Sequence, residues 1–191
     1  RAVLDLDNPD KRSRRVHLDK IDPDLAGLAL FAVLQRDASE WADVAAFLSP
    51  ENDSTTRHYI LSALSSVHDP ALGAKILGLA LEPRLKVNEV VTPIAAQAND
   101  SRTRDAAWAW FQQRYDAVAA RLPEERRGHL ARVFSSYCSE EKAQELDAFF
   151  GPKKSHTPGM ERALAQSLES VRLCAARKAA HEESAKKMFP Q

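Results

Sequence analysis

Two helix openers of the same form stand 47 residues apart in this chain, Asp22-Pro23-Asp24-Leu25 and Asp69-Pro70-Ala71-Leu72. An Asp that can accept from the first unpaired amides, followed by Pro at the first helical position, starts a helix where proline's missing N–H costs nothing. The interval falls at the upper end of the ~40–47-residue period of repeats built from paired helices. Between and beyond these openers, prolines and capping residues cut the chain into about nine segments, most of roughly 10 to 20 residues with short connections. Gly is scarce at 6 residues, and Ala, Leu, Glu, Arg and Gln crowd the segments, a mixture that favours helix. No segment reads as a strand. The expected fold class is therefore all-α, with short antiparallel helices stacked side by side, because each is too short to be stable unless neighbours cover its apolar stripe.

Residue spacing places the elements. Residues 1–20 are polar, with the basic cluster Lys11, Arg12, Arg14 and Arg15, and read as a linker or truncated helix. A helix then runs from Asp22-Pro23 through Leu25, Leu28, Ala29, Ala32 and Val33. The next, from Ser39, carries Trp41, Val44, Ala45 and Leu48 and ends at Pro50. A third starts at Asp53 or Ser54 with Tyr59, Ile60, Ala63 and Leu64 inward, and a fourth runs from Asp69-Pro70 to Leu81. Pro93 should kink the following helix, roughly 87–98, or shift its start. After Ser101, Trp108, Phe111, Tyr115, Val118 and Leu122 recur at steps of three and four, which is a core-facing stripe. Pro123 opens a helix to Phe134, and Ser139 caps another that reaches Gly151. A turn-rich connector, 151–159, leads to a last long helix with Leu164, Leu168, Val171, Cys174 and Ala175 inward, fading after His181. The domain is expected over residues 21–187, with a tail at 188–191.

Composition narrows the function. With 44% hydrophobic residues the chain can bury a substantial core. Its 27 basic and 27 acidic residues balance, so no overall field draws it to nucleic acid or an anionic membrane. No apolar run approaches the ~20 residues that span a bilayer, and the expectation is a water-soluble, cytoplasmic chain. Cys138 and Cys174 read as small apolar core residues; a disulfide is the alternative if the helices carrying them are adjacent.

Motifs for chemistry are lacking. The six histidines have no His partner at helical spacing, and His181-Glu182-Glu183-Ser184-Ala185 puts Ala where the second ligand of a His-Glu-x-x-His zinc site must stand. There is no Gly-x-Ser-x-Gly elbow, and the glycines are isolated, so neither a serine nucleophile nor a phosphate loop is built. The Glu124-Glu125, Glu140-Glu141 and Glu182-Glu183 pairs sit where they complement helix dipoles or keep a face solvated. Arg102, Arg104, Arg126 and Arg127 flank helix starts on either side of the aromatic helix and read as a solvated rim. The expected catalytic and metal-ligand sets are both empty.

Several blocks resemble one known domain: Ile21-Asp22-Pro23-Asp24-Leu25; Arg57-x-x-Ile60-Leu61-x-Ala63-Leu64; His68-Asp69-Pro70-Ala71-Leu72; Thr103-Arg104-Asp105-Ala106-Ala107-Trp108-Ala109-Trp110; Phe134 with Cys138; Phe149-Phe150; and Gly159-x-x-Arg162-Ala163-Leu164-Ala165-Gln166-Ser167-Leu168-Glu169-Ser170-Val171-Arg172-Leu173-Cys174. In this order they resemble the C-terminal, ERAP-type helical domain of M1-family zinc aminopeptidases, especially bacterial members. The resemblance implies a HEAT/ARM-like superhelical stack of antiparallel helix pairs without activity of its own. Zinc would belong to the catalytic domains of the same polypeptide, which would be its partners, and the domain would wall a chamber for peptide substrates that lose their N-terminal residues. It further implies that Arg104 and Arg102 attract the substrate's C-terminal carboxylate, since a guanidinium pairs with a carboxylate through two parallel bonds. The alternative is a freestanding HEAT-like module that grips a protein or peptide.

Overall fold

The computed structural model describes residues 5, 7–10, 14, 17, 20–49 and 53–188, and all regular structure among them is helical. Nine α-helices follow in order among these described residues: α1 (Pro23–Arg36), α2 (Trp41–Ala46), α3 (Ser54–Ser65), α4 (Pro70–Gly78), α5 (Thr92–Asn99), α6 (Arg104–Ala120), α7 (Glu124–Arg127), α8 (Glu140–Phe150) and α9 (Met160–Met188). The chain divides into two compact units, residues 1–111 and 112–191, with α6 contributing its first turns to one and its remainder to the other. Pro50, the basic residues Lys11, Arg12 and Arg15, and the last three residues of the 188–191 tail lie outside the described residues. Arg14 is described and donates to Asp43 Oδ2 at 2.7 Å.

Caps set the helix starts. The Asp53 side chain accepts from the amides of Thr55 and Thr56, Asp69 from Ala71, and Ser139 from Lys142, each satisfying donors a helix start leaves unpaired. Pro93 shifts a start rather than kinking a helix: turns fill the stretch up to Val91, and α5 begins at Thr92 with proline in its first turn. The segment expected as one helix from Pro123 to Phe134 is instead the short α7 followed by a tighter 3-10 stretch, Gly128–Arg132.

In the first unit, α3 packs on α1, α2 and α5, and α4 on α5. The core joins Leu30, Leu34, Trp41, Val44, Ile60, Leu61, Leu64 and Ile76, with the Trp41 indole donating to Leu64 O at 3.1 Å. Two residues of the apolar spacing read along α1 lie outside it: Leu25 and Leu28 are 52% and 62% exposed, while Ala26, Leu30 and Leu34 are buried. Apolar residues occupy nearly every position of this helix, so spacing alone permits either stripe, and the packing selects the one that meets α3.

Arg57 is the largest fully buried side chain, at 0% exposure. It stands one and two turns before Ile60, Leu61 and Leu64, on the face turned to the core. Its Nε and Nη2 donate to the two Glu89 carboxylate oxygens at 2.8 and 2.5 Å. Nη1 donates to Ser49 O, and Nη2 also to Arg84 O at 2.9 Å. Glu89 accepts in addition from the Lys86 amide at 2.8 Å. Burial, the largest single influence, would raise the Glu89 pKa, but the Arg57 hydrogen bonds, the Lys86 amide and the charges of both residues together outweigh it and hold the carboxyl below its ordinary range.

The second unit rests on α8 and the 3-10 stretch packed against α9, with Tyr115, Phe149 and Phe150 in edge-to-face contact at centroid distances of 4.9 to 6.1 Å. The Ser167 hydroxyl donates to Ala131 O at 2.8 Å. Gly128 is required there, because a Cβ would stand 2.7 Å from Met160 N and collide with the Pro158 carbonyl; Gly159 meets it with a φ of +75°, a conformation that favours glycine. The cysteines are not thiols in the core: Cys138 and Cys174 form a disulfide, Cα to Cα 4.9 Å, closing a loop between positions 36 residues apart. A loop of that length adds about 3–4 kcal/mol in the chain-entropy picture. Helix α9 also continues to Met188 rather than fading after His181.

Removing one partner of a buried, hydrogen-bonded ion pair strands the other. Arg57→Ala is therefore expected to lower unfolding stability by about 3–5 kcal/mol, and Arg57→Met with Glu89→Leu to recover much of the loss. Urea unfolding of the single and double variants checks both.

Candidate functional site

The link between α5 and α6 is tied down at several points. Gln97, 1% exposed, donates through Nε2 to Ser65 O at 2.7 Å and Val67 O at 2.9 Å, joining the end of α3 to α5. The Thr103 hydroxyl donates to Gln97 O at 2.8 Å. Arg104, half-buried, donates from Nε to Ala98 O at 2.8 Å and reaches Asn99 O at 3.5 Å. A cation here satisfies carbonyls that the end of α5 leaves unpaired and complements its dipole.

Beside this link, α4, α5 and the first turns of α6 border a groove of about 260 Å³. Leu77, Ala107 and the half-buried Trp110 give it apolar walls, and Gln97, Thr103 and Arg102 supply polar edges. Gly73 also lines it, and a Cβ there would meet nothing within 4 Å. The sequence-predicted pair thus separates: Arg102 lines the groove, and Arg104 holds the end of α5 behind it.

Arg102 is 66% exposed and lies along Asp100, with Nε to Oδ1 at 3.0 Å and Nη2 to Oδ2 at 2.9 Å. The Arg102 amide donates to the same carboxylate at 2.8 Å, and His68 Nδ1 stands 3.3 Å from Asp100 Oδ2. The Arg102 side-chain hydrogen bonds hold the Asp100 carboxyl well below the ordinary range and raise the guanidinium in turn. Arg102 Nη1 makes no hydrogen bond among the described residues. An exposed pair of this kind is a weak tie, so the fork can turn toward an incoming carboxylate.

Gln97, Thr103, Gly73 and Trp110 were not singled out by sequence reasoning as groove residues. Two of them carried a signal, Gly73 as a glycine inside a helix, which costs about 1 kcal/mol relative to Ala, and Trp110 as a tryptophan off the aromatic stripe; Gln97 and Thr103 carried none. Among the described residues, no group of three His, Cys, Asp or Glu side chains is placed to hold a metal ion, and no helix is long and apolar enough to cross a membrane.

The described residues thus give an all-helical arrangement of capped short helices with an arginine-edged groove. The sequence matches the ERAP1-like C-terminal domain over residues 7–173, and the chain belongs to that family. It is 26% identical over 162 residues to Aminopeptidase M1 of Arabidopsis thaliana, covering 80% of this chain and 18% of that protein. Aminopeptidase M1-B of Oryza sativa subsp. japonica is 31% identical over 118 residues, 61% of this chain and 13% of that one. Aminopeptidase 2, mitochondrial, of Saccharomyces cerevisiae is 25% identical over 114 residues, 58% and 12%. The chain spans less than a fifth of these relatives and corresponds to the C-terminal domain of M1 aminopeptidases.

Asp53, Glu89 and Asp100 all titrate below their ordinary values, held by Thr56, by Arg57 and Lys86 together against the pull of burial, and by Arg102 respectively. A depressed carboxyl contributes stability that is fully present above its unfolded pKa, near 4, and is lost as pH falls through the folded value. The stability these three carboxyls contribute should therefore be constant from pH 7 to about 5 and weaken steadily below about 4. Asp100→Asn should flatten that acid limb, as read from urea midpoints across the range.

Proposed function

We propose that residues 21–187 form the non-catalytic C-terminal helical-repeat domain of an M1 zinc aminopeptidase, and that this domain walls the chamber in which peptides lose their N-terminal residues. The observation that carries this reading is the family match over residues 7–173, together with relatives that are M1 aminopeptidases several times longer than this chain. Zinc would sit in the catalytic domains of the same polypeptide, which would be the domain's partners along with the peptide. Arg102 would receive the peptide's terminal carboxylate beside the apolar groove, and Arg104 would act through the end of α5 that it holds. The groove chemistry supports this assignment: a long peptide ends in a carboxylate and a side chain, and here a fork of N–H donors borders an apolar recess.

A water-soluble, cytoplasmic address belongs to the same proposal. It agrees with the Cys138–Cys174 bond only if that bond exchanges with the thiols of a reducing compartment.

The isolated chain is expected to release no chromophore from aminoacyl p-nitroanilides and to retain no stoichiometric zinc after dialysis. Zinc-dependent turnover by the pure chain would overturn the reading. In the full-length enzyme, Arg102→Ala is expected to lower kcat/KM for long peptides about tenfold, the loss of one charge-assisted contact, while leaving dipeptide turnover within twofold. Arg104→Ala should act in the same direction and also lower thermal stability. Equal effects on long and short substrates would count against a carboxylate contact.

A further inference from the structure

The disulfide occupies an unusual position for a link that only braces a core. Val171 is fully buried, whereas Arg172 and Leu173 are exposed and Cys174 only half-buried. From Ala176 to Glu182 every residue of α9 is exposed. Cys138, also half-buried, sits in the connector just before the Ser139 cap of α8. The bond thus fastens α9 at the point where the packed core ends.

A broad surface groove opens over it, lined by Cys138, Cys174, Leu173, Arg177, Lys178 and His181 among others. Arg177, Lys178 and His181 follow Cys174 by three, four and seven residues, so α9 presents all three on the side that carries the sulfur. None makes a hydrogen bond or ion pair among the described residues, and none of the lining residues is acidic. Glu140, the carboxylate nearest Cys138 in sequence, is engaged by Arg172 at 3.1 Å. Access and positive charge converge on one disulfide.

We propose that Cys138–Cys174 is a thiol-exchange site for a small anionic thiol, a carboxylate-bearing thiol of the glutathione type. The cations gather the thiolate and its carboxylates; the thiolate sulfur attacks Cys174 Sγ, the Cys138–Cys174 bond breaks, and a mixed disulfide forms on Cys174. Cys138 leaves as a thiolate at the N-terminal end of α8, where the helix field favours it, and takes a proton from solvent. Electrons balance within the exchange, and no separate oxidant is consumed. A second thiolate of the same class attacks the small thiol's sulfur in the mixed disulfide. The two small thiols leave joined as their own disulfide, and Cys174 departs as a thiolate that takes a proton from solvent, so both cysteines end reduced. Exchange unfastens α9 beyond Val171 while the Ser167–Ala131 contact and the buried α8 and α9 faces hold the rest. This inference does not depend on the aminopeptidase assignment.

The test compares glutathione, 2-mercaptoethanol and cysteamine, anionic, neutral and cationic, on the full-length protein at low ionic strength. Rates per thiolate are followed by intact mass and peptide mapping. A glutathionyl adduct on the Cys174 peptide is expected, with glutathione about tenfold faster than cysteamine and the difference collapsing in ~1 M salt. Arg177→Glu with Lys178→Glu, exposed positions that do not endanger folding, should invert the order. Amide exchange should rise in residues 174–188 after reduction and stay low in residues 140–171. A bond that survives glutathione, a rate order indifferent to thiol charge, or a charge-reversed variant that keeps the original order would each overturn the proposal.

Discussion

The first unit depends on a single buried guanidinium. Short helices cannot stand alone, and what joins them here is irregular chain whose carbonyls would otherwise be unpaired. Arg57 answers that need by bonding Ser49 O beyond α2, Arg84 O and the Glu89 carboxylate in the turns before α5, all from its place on α3. Arg84 in turn donates to Ala45 O at 2.8 Å. An apolar pair in place of Arg57 and Glu89 would cost far less than loss of one partner, yet it could not specify the path of two connections. The ion pair buys definition of the turns more than net stability.

That definition is inherited by the groove. The turns fixed through Glu89 deliver the chain to Thr92, where α5 starts, and Gln97 on α5 reaches back to the end of α3. Thr103 and Arg104 then fasten the start of α6 to the end of α5. Arg102 projects from the middle of this knot with its backbone held and its side chain exposed. A rigid base under a solvated fork suits recognition of a charged terminus, because little ordering is needed when the ligand arrives. The second unit is built differently, on aromatic contact, a close glycine approach and one covalent link, and that link fastens the start of its exposed helix end.

Much of the fold was legible because local rules agreed. Asp53, Asp69 and Ser139 were readable as caps and accept the hydrogen bonds expected of them, and the stripe from Trp108 to Leu122 is buried throughout. The α1 stripe was not readable, since a helix that is apolar nearly all round gives no phase, and only α3 decides which face turns inward. The break after Arg127 was hidden because its cause is remote: Gly128 must approach the 158–160 backbone. For the cysteines, a separation of 36 positions conceals an adjacency that only the packing of α8 on α9 creates. Of the site, Arg102 and Arg104 were picked out by charge at a helix start, but which one faces the groove turns on the Asp100 and Ala98 contacts. The groove itself comes from three helices and had no signature in any one of them.

The central claim is that this helical surface faces peptide substrate in the larger enzyme. Placing a photoreactive benzoylphenylalanine at Trp110 of the full-length protein and irradiating it with a long peptide tests that claim at the groove. The account predicts a cross-link to the C-terminal part of the peptide that is lost when unlabelled long peptide competes and kept when a dipeptide does. A cross-link to the peptide's N-terminal residues, or none despite normal turnover of the same peptide, would contradict it.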